Sequence, residues 1–131
     1  LFPYTTLFRS ADIFWGVENG IDTFDCVHPT RFARHGGALV RPHVKGYKKG
    51  SLNLNNATHR LDNSPIDDKC GCPTCSHYTR SYIHHLLKSN ELISCSLLTS
   101  HNVYFMNNLM SDIRNAIEKD SMADCKRNWM G

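Results

Sequence analysis

Between Ala11 and Asn19 the apolar positions Ile13, Phe14 and Val17 recur at helical spacing, and Gly20 supplies a helix stop. The next run, "IDTFDCV", places Ile21, Phe24, Cys26 and Val27 as a short buried strand that ends near Pro29. A helix followed by a buried strand is one step of an α/β repeat. The pattern holds no further such steps to supply sheet neighbours, so this end reads as cut from a larger domain. The pattern then changes: "GGALV" and "SLNLNN" are short strand candidates separated by "KGYKKG", which predicts a small antiparallel sheet. A helix is predicted from Ser76 to about Lys88, with Tyr78, Tyr82, Ile83, Leu86 and Leu87 on one face. A final helix is predicted from about His101 to Glu118, burying Val103, Met106, Leu109, Met110, Ile113 and Ile117. Core packing accounts for these apolar faces. No internal repeat or long low-complexity segment interrupts the chain.

The first ten residues, "LFPYTTLFRS", share no pattern with the rest and match at every position the in-frame translation of a widely used short-read sequencing adapter. The alternation of Phe2, Tyr4, Thr6 and Phe8 also fits an amphipathic strand. The adapter reading is preferred, and fold reasoning starts at Ala11.

Composition narrows the class. A chain of 131 residues forms one domain with a modest core. There is no run of about eighteen apolar residues, which argues against a membrane role. The net charge of +3 decides little by itself. Placement matters more, because Arg31, Arg34, Arg41, Lys45, Lys48 and Lys49 crowd one stretch. That stretch could face phosphate or be a solvated loop. Six cysteines would suit a disulfide framework, yet no signal peptide is visible and three of the six are too tightly spaced for one. A reducing, cytosolic compartment with a metal site fits better.

Those three lie in "CGCPTC", residues 70–75, and three thiolates do not close a tetrahedral site. His77, His84, His85, Cys95 and His101 are candidates for the fourth ligand. His77 is too close to Cys75 to swing round once Cys75 is bound, and His84 and His85 ride on the helix leading away. His101, at the start of the predicted last helix, is the preferred candidate and Cys95 the alternative. Four protein ligands leave no open position, so the site would be structural. The bland alternative is three free thiols on a loop.

With these residues in view, "GIDTFDCVHPTRFARHG", "PIDDKCGCPTC", "SYIHHLLKSNE" and "TSHNVYFMNNLMSDIRNAI" resemble, in order, the C-terminal part of the tRNA-guanine transglycosylases, or queuine tRNA-ribosyltransferases. The resemblance covers nearly all of residues 11–119. It implies an α/β fold, the C-terminal end of a (β/α)8 barrel with a zinc-binding subdomain inserted between the last strand and the last helix. A whole barrel takes about 250 residues, so the barrel would be incomplete. Residues 11–35 would be the end of the barrel, 36–100 the zinc insertion, and 101–131 the last helix and a tail. Against typical bacterial members, the stretch between Arg34 and Cys70 is several residues longer.

The resemblance assigns one structural Zn2+ to Cys70, Cys72, Cys75 and His101. It implies exchange of the wobble guanine of tRNA for a 7-deazaguanine, queuine or its precursor, with Asp25 as the nucleophile. From its residue type alone Asp25 is a strand-end carboxylate that could equally serve a turn or cap. "TRFAR" (Thr30, Arg31, Phe32, Ala33 and Arg34) matches the anticodon-loop contact segment, and guanidinium groups suit that work. Cys26, Cys95 and Cys125 match no ligand role and read as packed or incidental thiols. The family's acid/base aspartate and base-recognition residues come from earlier strands and have no counterpart here, so the chain alone is expected to be inactive. A homodimer and a cytoplasmic, bacterial-type enzyme are implied as well. The alternatives are a stand-alone zinc-bearing RNA-binding module and a non-catalytic partner subunit; retention of Asp25 argues against the second. Source DNA upstream of the Ala11 codon is expected not to encode residues 1–10, and genomic reads that encode them would reject the adapter reading.

Overall fold

The computed structural model describes residues 10–131, and one long helix organises them. In chain order the elements are α1 (Ser10–Glu18), α2 (His28–Arg34), β1 (Gly37–Leu39), β2 (Ser51–Asn53), a 3-10 turn (Ala57–His59), α3 (Pro73–His77), α4 (Arg80–Lys88), α5 (Ile93–Glu118) and α6 (Met122–Met130). The described residues are therefore α-rich with one small two-stranded sheet. The strands pair antiparallel with Gly37 opposite Asn53, Ala38 opposite Leu52 and Leu39 opposite Ser51, as "GGALV" and "SLNLNN" predict.

The 26 residues of α5 extend about 39 Å at 1.5 Å per residue. Its buried positions, Ser94, Leu98, His101, Asn102, Phe105, Leu109, Ile113 and Ala116, follow the three-and-four spacing of one helical face. That face serves two separate apolar clusters. Toward its C-terminal end, Phe105, Leu109 and Ile113 pack with Ile13 and Phe14 of α1 and with Cys125 and Trp129 of α6. Toward its N-terminal end, Leu98 joins Ala33, Ala38, Val40, Leu52, Leu54, Ile66 and Ile83. His101 and Asn102 lie at the seam between them, both with no exposed surface.

Four expectations are corrected. Residues 21–27 form no strand: the segment is irregular, with Ile21 37% and Val27 55% exposed. An apolar alternation becomes a strand only when its backbone groups have a ladder to join, and no neighbouring strand is present among the described residues. The helix predicted over 76–88 is two helices, because Tyr78 and Thr79 are extended and the Thr79 hydroxyl caps α4 by accepting the Tyr82 N–H. The last helix begins at Ile93, so His101 sits about two turns inside it rather than at its start. The residues after 118 include α6, held to α1 by the Lys126–Glu18 ion pair at 2.7 Å. The alternation over residues 2–8 lies outside the described residues.

The long irregular path from β2 to α4 is held by Arg80, whose side chain is nearly inaccessible. Its guanidinium donates to the carbonyls of Pro65 (2.8 Å), Ile66 (2.9 Å) and Lys45 (3.2 Å) and to Asp62 (3.1 Å). Burial works against the Asp62 charge, but hydrogen bonds from Ser64 and the Arg80 cation hold its pKa at about 2. Removing the guanidinium leaves three carbonyls without this donor and one carboxylate without its cation. Arg80→Met is therefore expected to lower unfolding stability by about 3 kcal/mol in chemical denaturation. Because the folded Asp62 titrates below its ordinary value of 3.8, its contribution is present above about pH 4 and lost as pH falls toward 2. The variant should show a flatter loss of stability across that window.

Candidate metal centre

Cys70, Cys72 and Cys75 gather at the start of the short helix α3. Cys72 is its N-cap, and its sulfur accepts the Cys75 N–H at 3.3 Å, while Pro73 occupies the first turn, where no amide hydrogen is needed. This turn brings the x2-spaced sulfurs together at one helix end. The Thr74 hydroxyl donates to the Leu97 carbonyl at 2.8 Å, docking α3 against α5 one turn before His101. His101 then meets all three thiols, with its Nδ1 3.8 Å from Cys70 Sγ, 3.4 Å from Cys72 Sγ and 3.4 Å from Cys75 Sγ.

These distances suit a shared ion. Tetrahedral zinc, with Zn–S of about 2.3 Å and Zn–N of about 2.0 Å, sets sulfur and nitrogen about 3.5 Å apart. All four ligand atoms lie within 4.8 Å of one another. The other edge of the imidazole is fixed, since His101 Nε2 donates to the Leu39 carbonyl at 2.8 Å. That bond keeps the proton on Nε2 and turns the Nδ1 lone pair toward the sulfurs.

Charge explains why the tetrad calls for a cation. Hydrogen bonds from Cys70 and then Cys75 hold Cys72 far below the usual thiol range against the effect of burial. Cys70 and Cys72, and then burial, push Cys75 far above it. Burial opposes charge on His101, yet the thiols of Cys70 and Cys72 push its pKa up to about 9. Three thiolates and a neutral imidazole packed this closely would hold a dication, whose binding would release the thiol protons. Cys70, Cys72, Cys75 and His101 form a tetrad suited to one zinc ion, closed and structural.

The other candidates are elsewhere engaged. His84 is buried and its Nδ1 bonds the Leu54 carbonyl at 2.7 Å, and His77 Nδ1 bonds the Pro73 carbonyl at 2.9 Å. Cys95 is half-buried on α5 and does not join the tetrad. Sequence reasoning missed Asn102, which works beside the centre. Its Oδ1 accepts the Leu39 N–H at 2.8 Å, and its Nδ2 donates to the carbonyls of Pro29 and Gly37, both at 3.0 Å. The available signal was an amide residue next to the ligand histidine within an apolar helical face.

The remaining expected site residues lie outside the tetrad. Asp25 is exposed, between Phe24 and Cys26, whose side chains line a cavity of about 420 Å3 against Met106 and Met110 of α5. "TRFAR" is helical, forming most of α2. Thr30 donates to the Val27 carbonyl at 3.1 Å, and Arg31 and Arg34 are exposed. Ala33 is fully buried, and Phe32 stacks on His28 with ring centroids 5.2 Å apart. Phe32 also fills the space above Gly37, where a Cβ would lie 2.5 Å from its ring. Only Thr30, Arg31 and Arg34 of the five project toward solvent.

An α-rich domain built around a Cys3His tetrad falls in the class of structural zinc-binding domains. Residues 6–131 match the family described as queuine tRNA-ribosyltransferase, and the chain belongs to that family. Relatives named queuine tRNA-ribosyltransferase include one from Lachnoclostridium phytofermentans, 45% identical over 89% of this chain and 29% of the relative. Those from Clostridium acetobutylicum and Clostridium tetani are each 45% identical over 92% of this chain and 31% of the relative. The chain thus spans about 30% of the length of these relatives. Among the described residues, no helix is long and apolar enough to cross a membrane.

Elemental analysis of the purified chain is expected to give about one zinc per chain. His101→Ala should lose most of that zinc, and Cys95→Ser should retain it. Zinc should also be released on acidification, because protons compete for all four ligands.

Proposed function

We propose that this chain is the C-terminal part of a tRNA-guanine transglycosylase that replaces the wobble guanine of tRNA with a 7-deazaguanine, queuine or its precursor. The observation that carries this reading is the family match across residues 6–131 by a chain spanning 29–31% of its relatives. The unpaired segment 21–27 supports it, since a self-sufficient zinc module has no use for an apolar run with no strand to join. In this reading residues 11–35 end a (β/α)8 barrel, 36–100 form the zinc insertion, and 101–131 continue as the last barrel helix and a tail.

Asp25 acts as the nucleophile. Its carboxylate oxygen bonds C1′ of the wobble ribose as the bond from C1′ to guanine breaks through an oxocarbenium-like transition state. The departing guanine takes a proton from an acid outside this chain. The conjugate base of that acid then takes the ring-nitrogen proton of the incoming base, which attacks C1′ as the bond to the Asp25 carboxylate breaks, and the RNA backbone stays uncut. The α2 segment Thr30–Arg34 contacts the anticodon loop, with Arg31 and Arg34 offering planar donor forks to base edges and phosphates. Zinc has no part in the bond changes; it fixes α3 and α5 to β1 and so sets the position of α2. The full-length enzyme is a cytoplasmic homodimer.

In this reading the acid and the base pocket belong to parts of the relatives that this chain does not span, and the chain alone should show no base exchange with labelled guanine. A chimera carrying residues 11–131 in place of the matching part of a full-length clostridial relative should incorporate label into tRNA. Asp25→Asn in that chimera should reduce incorporation by roughly 1,000-fold or more with zinc content unchanged. Retention of exchange by the Asp25→Asn chimera would overturn the nucleophile assignment.

A further inference from the structure

From residue 26 to residue 61 the chain holds none of its twelve acidic residues and seven of its fifteen Lys and Arg residues. This block folds into α2 and the β1–β2 hairpin. One of the seven, Arg41, is occupied: it lies 3.7 Å over the Trp129 ring and 3.6 Å from Asp112. Arg31 and Arg34 on α2 and Lys45, Lys48 and Lys49 in the hairpin loop are exposed and have no ion pair among the described residues.

The loop is ordered by its own contacts. Val44 is buried and Tyr47 packs on the core beside it. Lys48 and Ser51 exchange backbone hydrogen bonds at 3.1 and 3.2 Å, and the Ser51 hydroxyl donates to the Lys48 carbonyl. Arg80 holds the Lys45 carbonyl from below. Gly46, Lys49 and Gly50 take positive φ of 89°, 50° and 86°, which closes the turn tightly. Backbone is thus fixed on the inside while three ammonium groups are left outside. A merely solvated linker needs none of this ordering, and holding charges in place before binding reduces the entropy lost when a ligand arrives.

We infer that the β1–β2 loop, through Lys45, Lys48 and Lys49, is a phosphate-binding surface that extends the RNA footprint beyond α2. The inference rests on the tRNA-binding reading of α2. Three paired residues separate the loop from the end of α2, roughly 10 Å of strand, a span that an RNA backbone following the surface readily crosses. The two parts differ in chemistry. Planar guanidinium groups on α2 suit base edges, whereas the ammonium groups of the loop act as point charges that position a backbone without reading its sequence.

The test measures fluorescence-anisotropy binding of the full chain to a labelled anticodon stem-loop RNA and to an unrelated stem-loop, over a series of salt concentrations. The variants are Lys45→Gln/Lys48→Gln/Lys49→Asn together, and Arg31→Ala/Arg34→Ala together, with zinc content as the check on folding. The loop variant is expected to lose about 10-fold or more in affinity for both RNAs at low salt. The slope of log K against log salt should shrink by about 0.7–0.9 per lost contact, roughly 2 to 3 in all. If the loop variant matches the wild type in affinity and slope while the α2 variant weakens, the loop inference is overturned and the tRNA reading stands. If the wild-type chain binds neither RNA, both are overturned. Lysine-dependent binding to phosphatidylserine vesicles without RNA binding would likewise overturn the inference in favour of a membrane surface.

Discussion

The backbone of one residue, Leu39, carries the arrangement of this protein. Two consecutive residues of α5 take both of its polar groups: His101 donates to the carbonyl and Asn102 accepts the amide hydrogen, each at 2.8 Å. The same imidazole turns its other nitrogen to three cysteines, and the same amide reaches the carbonyls of Pro29 and Gly37. The metal centre, the sheet and α2 therefore share one anchor in a fully buried position. Buried polar groups are costly when unsatisfied, and this pair stays inside because its hydrogen-bonding groups and the imidazole's metal-facing nitrogen all have partners.

That anchor lies at the seam between two apolar clusters. Below it, α1 and α6 close on Phe105, Leu109 and Ile113; above it, the hairpin and α4 close on Leu98. The clusters meet through α5 and the polar seam, where Asn102, next to the ligand histidine, bonds the Pro29 carbonyl of α2. Arg80 gathers the irregular residues 62–66 and the hairpin loop, its cation bonding the carbonyls of Pro65, Ile66 and Lys45 and the Asp62 carboxylate.

Several features were legible along the chain. The cysteine triad was readable because x-spaced and x2-spaced thiols in a turn converge whatever surrounds them. The hairpin was readable because two short apolar runs flank a Gly-rich, Lys-rich turn, and α1 was readable from its periodicity and its glycine stop. The strand at residues 21–27 was misread because alternation records only a preference for a sheet face. The pairing that makes a strand has to be supplied from elsewhere. The first two turns of α5 were missed because "ISCSLLTS" is rich in residues that favour caps and turns, and its helical state comes from burying Ser94 and Leu98 against the rest of the fold.

Sequence by itself therefore determined the chemistry: which residues could bind metal, where cations gather, and which stretches carry an apolar face. These depend on residue type and short spacing, which covalent geometry fixes. The tertiary structure bore out His101 as the fourth ligand, and it alone decided that Asn102 ties three segments to the centre and that Ala33 of "TRFAR" packs inward while Arg31 and Arg34 point out. Those outcomes depend on how far a helix continues and on what lies across from it. Such contacts between residues distant in the chain are set by packing, and no local pattern records them.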